Sequence, residues 1–454
     1  MRNKILFSIV LIGALAFGDS CKKLDTKATQ SIDESAALNT SADVQVALVG
    51  SYSDLEDADL YGGTAFVSAD LLADVNEISW SGTYQGLTQI HNKTIPVDND
   101  FVRDTWLAGY RAINDVNNVL SALAVVEADQ KDRIEGEASF IRGAVYFELV
   151  RLYAKSWNDG TPTTNPGVPI ALTPTRGVTE ADQRARNTVA EVYEQAMTDL
   201  TNAEAKLPED NGFFADKGSA AAMLARIYLQ KGDYPKAADA ANRVISSGKY
   251  SLTKKYEDAF PFSPNGPTSL PNTTEDVFAM QVNATHGNNS FNTYYSSNGR
   301  GDISINKAHL DLYEAGDARR DLFYEDAGSV YTGKFENAYG NVRLIRLAEM
   351  YLIRAEANFR LLPAAPVGGV TPLADINRIR TRAGLTTPLT AVTLPIILKE
   401  RKLELAFEGF SLHDIKRLQG SVGNNLPWNS NKLVYPIPDR EIRVNNNLAQ
   451  NPDY

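Results

Sequence analysis

The chain has 454 residues, 43% of them hydrophobic, with a formal net charge of −11 and a sequence pI of about 5.1. Length alone suggests two or three domains, and the composition is that of a globular chain without disordered bias. An acidic chain with no basic run gains nothing from phosphate counterion release, so nucleic acid is excluded as an expected partner.

Taken in order, the N-terminus reads as an export signal. Arg2 and Lys4 precede an apolar run, residues 5–17, too short to span a bilayer permanently. The only cysteine, Cys21, follows Gly18-Asp19-Ser20, in which Ser20 fits a lipobox. A lone cysteine in an exported chain cannot close an internal disulfide. Its position predicts lipid attachment at Cys21 and removal of residues 1–20; two or more acyl chains anchor firmly. Residues 22–35 are polar and read as a tether.

A helical pattern follows over 41–60, through Val44, Ala47, Tyr52 and Leu55. It breaks over 61–101, where glycines, Trp80, Tyr84 and several amides indicate loops with some short helix. Periodicity returns over 105–125, which places Trp106 and Tyr110 on one core face. Residues 135–153 form a strong helix, with Ile141, Val145, Leu149 and Leu152 on one side. Residues 154–186 are rich in Pro, Thr, Asn and Gly and read as a long connection, and helix resumes over 189–207. The clearest unit is 218–247: two helices joined at Gly232-Asp233, with alanines on the meeting face. This is a tetratricopeptide-type hairpin, which buries its faces only by stacking on neighbours. Unit spacing is irregular, so no clean tandem array results.

Residues 250–342 form a second irregular region, punctuated by Pro261, Pro264, Pro267 and Pro271. Within it, 277–282 reads as a strand and 283–302 as a loop carrying Phe291, Tyr294 and Tyr295. Helix returns over 344–362. A further helix runs from Ile396 to its glycine stop at Gly409, and a short one covers 412–418.

Glu400, Glu404 and Glu408 line one face of that helix at four-residue intervals. A carboxylate pair could act on a glycosidic bond. Ion pairing is the commoner fate of such a stripe, with Arg378, Arg380, Arg382, Arg401, Lys402, Lys416 and Arg417 as candidate partners. Other chemical signals fail. The four histidines have no partner at metal-ligand spacing. Residues 328–334 approximate a phosphate loop, but Phe335 replaces the magnesium-holding hydroxyl. Asp98 and Asp100 lack a calcium-loop glycine, and no Gly-x-Ser-x-Gly elbow occurs. No catalytic residue, metal or cofactor is expected.

Four segments carry a family resemblance: RLAEMYLIRAEA (346–357), INRIRTRAGL (376–385), KERKLELAFEGF (399–410) and the terminal YPIPDREIRVNNNLAQNPDY (435–454). With GEASFIRGAVYFELVRLYAK (136–155) and the 218–247 hairpin, they resemble the SusD/RagB lipoproteins of Bacteroidetes, in that family's order, from Cys21 to the end. The resemblance implies a mostly α fold with little strand, in which four tetratricopeptide-like hairpins support a long-looped binding half. It implies a signal peptide over 1–20, an N-terminal part over 21–260 and a C-terminal part over 261–454, packed as one body. It also implies a lipid-anchored, outward-facing outer-membrane protein. Such a protein binds an oligosaccharide, or sometimes a peptide, and serves a SusC-like TonB-dependent transporter as its lid.

Binding residues vary within that family, so only a region carries over: the loops at 61–101 and 283–302. A sugar offers hydroxyls and flat C–H faces, which amides, carboxylates and rings can read in a concave site with few polar groups. The candidates are therefore Trp80 and Tyr84 with Asp74, Asn76, Gln89 and Asn92, and Tyr294 and Tyr295 with Asn292 and Arg300. A core position competes for each large ring. Three readings follow: a binding and delivery lipoprotein, a surface glycoside hydrolase using Glu400 and Glu404 or loop acids, and a helical scaffold for protein partners. The last requires that the two looped regions form no common aromatic surface.

Overall fold

A computed structural model describes residues 38–454 apart from 178, 264 and 265. Cys21 and the apolar leader, and so the expected lipid attachment, lie outside the described residues. None of the described helices is long and apolar enough to cross a membrane.

The helices of the first half are α1 (Ser41–Leu55), α2 (Thr64–Ala73), α3 (Gln85–His91), α4 (Asp100–Ser121), α5 (Ala128–Tyr153), α6 (Val189–Lys206), α7 (Lys217–Lys231) and α8 (Tyr234–Ser246). The second half adds α9 (Ser290–Tyr295), α10 (Lys307–Leu310), α11 (Leu347–Arg360), α12 (Pro372–Arg382), α13 (Leu394–Glu404), α14 (Ser411–Arg417) and α15 (Asp439–Val444). Strands are short and pair in twos: β1 (Ile78–Trp80) with β3 (Ile303–Ile305), β2 (Asp276–Met280) with β6 (Val342–Arg346), and β4 (Phe323–Asp326) with β5 (Ser329–Thr332). The fold is thus mostly helical with little strand, as expected.

The long helices stack in sequence. α1 packs on α4, α4 on α5, α5 on α6, α6 on α7, α7 on α8, α8 on α11, and α11 on both α12 and α13. One hydrophobic core runs through the stack, from Val44 and Leu48 to Ile376 and Ile397. The α7–α8 hairpin shows how the sequence dictates this. Asp216 opens α7 by accepting from the Ser219 amide at 2.8 Å, and Gly232 closes it in the left-handed conformation at φ 74°. Asp233 then caps α8. Ala221, Ala222 and Ala225 face Ala237, Ala238 and Ala241, all buried, and their small side chains let the helix axes approach closely.

Several boundaries differ from the sequence reading, including α1, which ends at Leu55 rather than 60, and α4, which runs from Asp100 to Ser121 rather than over 105–125, and three have a visible cause. α5 starts at Ala128 rather than 135, because its first turns are polar surface and carry no apolar stripe before Ile134. Leu344 belongs to β6, where it lies buried beside β2, and the helix starts only at Leu347. α13 stops at Glu404 rather than Gly409, and Phe407 takes φ 64°. Three donors end the helix there: Tyr256 Oη, Arg346 Nη2 and Lys334 Nζ all donate to the Glu404 carbonyl, at 3.0–3.1 Å.

The carboxylate stripe of α13 is buried in an ion-pair lattice. Glu400 meets Arg319 at 2.9 Å and Arg380 at 2.6 Å. Glu404 binds Arg382 and lies 3.0 Å from Arg346. Glu408 meets Lys334 at 2.7 Å and Arg346 at 2.8 Å. Glu275 joins from beside β2, 2.6 Å from Arg346. Burial pushes the Glu404 carboxyl up, but Arg382, Arg346 and Arg319 outweigh it and hold it down at about 2. Burial in turn pushes the Lys334 ammonium down to about 8, against the pull of Glu408. The lysine of the phosphate-loop-like stretch is therefore a structural cation. All three glutamates are sealed and spoken for, so none faces a cleft where a glycosidic bond could lie.

Candidate functional site

The two irregular regions meet. β1 and β3 pair antiparallel, with Trp80 opposite Ile303 and Ile78 opposite Ile305. A second clasp lies beside them. The Ser290 amide donates to the Gly62 carbonyl at 2.8 Å, and the Thr64 and Ser290 hydroxyls bond at 2.9 Å. This fixes α9 against the start of α2. The stretch 283–302, expected to be loop, therefore contains one short helix, capped where Asn289 accepts from the Asn292 amide at 3.0 Å.

The clasp gathers rings from both regions into one ledge. Trp80 and Tyr294 lie 6.2 Å apart between centroids, and Tyr84 stands edge-on to Tyr294 at 6.3 Å. Trp80 is half-buried, its indole N–H donating to Thr88 Oγ1 at 2.8 Å. It lies close over Gly82, where a Cβ would come within 2.3 Å of its six-membered ring, so the loop can fold under the indole only with glycine there. Tyr84 is 42% exposed and Tyr294 only 6%. Trp80 and Tyr84 thus present surface, and Tyr294 forms the floor between them.

Arg300 borders the ledge. Its guanidinium sits 4.5 Å from the Tyr84 ring centroid, donates to Asp302 at 2.7 Å and reaches Thr83 Oγ1 at 3.1 Å. The Asp302 hydrogen bond holds the Arg300 pKa above its ordinary value. Asp302 is buried and takes up the guanidinium through both oxygens, so it fixes the exposed Arg300, which offers N–H donors next to an apolar ring face, the chemistry a polyol with C–H faces can use.

Other candidates serve the frame. Tyr295 is fully buried, and its hydroxyl donates to Asp70 at 3.1 Å; it is corrected from ligand platform to core. Asn292 is buried too and donates to the Phe335 carbonyl at 2.7 Å, which withdraws it as a hydroxyl reader. Asp74 accepts from the amides of Glu77 and Ile78 and meets His91 at 3.3 Å, so it shapes the turn into β1. Gln89 accepts from the Asn99 amide at 2.9 Å. Asn76 is exposed at φ 71°, at the end of β1 away from Trp80, and Asn92 is exposed at the C-cap of α3. Among the described residues no group of three or more His, Cys, Asp or Glu could hold a metal ion.

Three contributors escaped the sequence reading. Phe101 stands edge-on to Tyr84 at 5.7 Å, and Thr83 and Asp302 hold Arg300. Asp302 meets Arg300 across Gly301, which takes φ 61° in the turn before β3, a geometry the local sequence does not announce.

Comparison with known proteins bears on the family and the fold. Residues 24–229 match a family model described as starch-binding and associating with the outer membrane, and residues 325–432 match the SusD family model. The chain belongs to the SusD/RagB family. It is similar to SusD-like protein P2 of Formosa agariphila, 26% identical over the full length of both chains. A shorter stretch, 25% of this chain and 22% of the relative, is 33% identical to the starch-binding protein SusD of Bacteroides thetaiotaomicron. The fold matches a crystal structure of a SusD superfamily protein from the same species, with TM-score 0.80 and 24% identity over 91% of this chain and 100% of that one. The helical stack is thus the SusD frame, and SusD-family membership places the chain among starch- and sugar-binding proteins.

Proposed function

We propose that this SusD-family chain captures an oligosaccharide on the ledge formed by Trp80, Tyr84 and Tyr294, with Arg300, held in place by the buried Asp302, reading hydroxyls. It passes the glycan uncut to a SusC-like TonB-dependent transporter. Lipid on Cys21 would hold it at the outer membrane, facing outward. The observation that carries this reading is the convergence of rings from opposite halves of the chain onto one partly exposed surface. The scaffold reading required that no such common surface exist. The hydrolase reading loses Glu400 and Glu404, which are enclosed by arginines, and is left with loop acids alone.

Capture needs only differential affinity. A ring face contributes apolar contact, and the Arg300–Asp302 pair contributes direction. Binding would favour the transporter-closed arrangement to the extent that the glycan prefers it. The test uses the soluble form lacking residues 1–21, titrated calorimetrically against a panel of neutral oligosaccharides, with reducing ends assayed in the same samples. The expected result is saturable binding of at least one glycan with no new reducing ends. Sustained turnover, or no glycan bound across the panel, would overturn the reading.

A further inference from the structure

The ledge is open surface, and the opposite end of β1 borders a half-open pocket. A cavity of about 400 Å³ lies between the end of α2, the start of β1, α13 and α14. That volume falls within the range of small-molecule sites, about 300–1,000 Å³. Its walls are mostly apolar, with Ala73, Ile78, Leu398, Phe407, Phe410 and Ile415 among them. Ile78 lines this cavity and Trp80, two residues on, belongs to the ledge, so the two surfaces lie at opposite ends of one short strand.

Two buried polar side chains in the wall are incompletely satisfied. Arg401 is 2% exposed; its Nε donates to Asp414 at 2.8 Å and its Nη2 lies 4.0 Å from Glu349 behind the wall, yet neither Nη1 nor Nη2 makes a hydrogen bond. Asp70 accepts through Oδ2 from the Gly409 amide and the Tyr295 hydroxyl, while Oδ1 has no partner. Burial pushes the Asp70 carboxyl up to about 7. An orphaned buried polar atom costs free energy and marks a place where a polar group is missing. The other carboxylates of the wall are engaged: Asp74 by His91, Glu77 by Lys402 and His309, Asp414 by Arg401 and Arg417. The unused capacity is therefore mainly that of guanidinium donors, and the exposed Lys399 adds a cation at the rim.

We infer that this cavity is a second ligand site, separate from the glycan ledge, for a medium-chain monocarboxylate whose apolar chain fills the cavity and whose carboxylate lies toward Arg401. The guanidinium suits a planar carboxylate better than any neutral headgroup. The chain is selected by length, since each buried methylene adds affinity until the space is full.

The test titrates the soluble chain with octanoate, octan-1-ol and butanoate. Octanoate is expected to bind saturably, butanoate on the order of a hundredfold more weakly, and octan-1-ol at least roughly tenfold more weakly. Leu398→Trp, which fills the cavity from α13, is expected to abolish octanoate binding while glycan affinity at the ledge stays unchanged. A diazirine-bearing octanoate analogue, photolysed on the unaltered chain, is expected to label residues 398–418 or 70–78, and this decides the matter if Leu398→Trp does not fold. No saturable octanoate binding, meaning ordered water alone fills the corner, would overturn the site. So would octanoate binding undiminished in folded Leu398→Trp, or labelling elsewhere. Equal affinity for octan-1-ol would overturn the carboxylate assignment.

Discussion

Two dense clusters of functional-looking side chains have opposite fates. Around α13, three glutamates meet Arg319, Arg346, Arg380, Arg382 and Lys334 in a region closed to solvent. At the β1–β3 ribbon, three rings and one Arg–Asp pair stand at a surface where Tyr84 keeps 42% of its area. The first pairs its charges within the chain and is closed to solvent, so it holds the frame, and atoms without a hydrogen bond there, such as Glu400 Oε2 and Glu404 Oε2, are buried out of a substrate's reach. The second keeps the Tyr84 ring and the Arg300 guanidinium at the surface. Exposure, and not chemical richness, separates a site from a support.

That contrast can be broken most forcefully from the buried side. Arg346→Ala leaves Glu275, Glu404 and Glu408 short of a cation in a sealed region. It is expected to cost about 3–5 kcal/mol of stability, the range for breaking a buried pair from one side, read as a shift in urea midpoint. A loss under about 1 kcal/mol would mean the lattice behaves like surface ion pairs. The same lattice sets an acid limit. The Glu404 carboxyl is held near 2 when folded, against about 4.3 when unfolded. Its contribution is fully present above the unfolded value and is lost as pH falls through the folded one. Urea midpoints from pH 7 to pH 2 are expected to fall mainly below pH 4–5 in wild type, and less steeply in Glu404→Gln. Parallel curves would remove Glu404 from the acid response.

Smaller effects sharpen the ledge side. Arg300→Ala is expected to weaken glycan binding by about 1 kcal/mol, the cost of one or two lost hydrogen bonds, roughly fivefold in Kd, with little change in thermal midpoint because Arg300 is exposed. Tyr295→Phe removes only the hydroxyl on Asp70. It is expected to cost about 1 kcal/mol of stability and to leave glycan affinity unaltered, which would separate Tyr295 from its neighbour Tyr294.

Those two tyrosines show how far the sequence could be read. Trp80, Tyr84 and Tyr294 were legible as rings set among amides and glycines in interrupted stretches. Tyr295 was not separable from Tyr294, because 283–302 looked like loop. Once α9 forms, successive residues point about 100° apart, so one ring floors the ledge and the next enters the core. The helical stack was visible from apolar periodicity and alanine-rich faces, since those are local signals. The partners of Glu400, Glu404 and Glu408 were partly visible: Arg380 and Arg382 lie nearby in sequence, whereas Lys334 and Arg346 come from beyond α12 and α11 and Arg319 from further still. Likewise, nothing local announces that β1 will pair with β3, because that pairing joins opposite halves of the chain. Length and composition could not show that the strand between two looped regions would also border a cavity.

The most direct measurement sets wild type and Trp80→Ala side by side in calorimetric titrations with the best-binding oligosaccharide, with thermal midpoints as a folding control. Removing a central ring is expected to cost about 2 kcal/mol of binding, roughly thirtyfold in Kd, in a variant that still unfolds cooperatively. A folded Trp80→Ala protein that binds the same glycan with wild-type affinity would contradict the ledge.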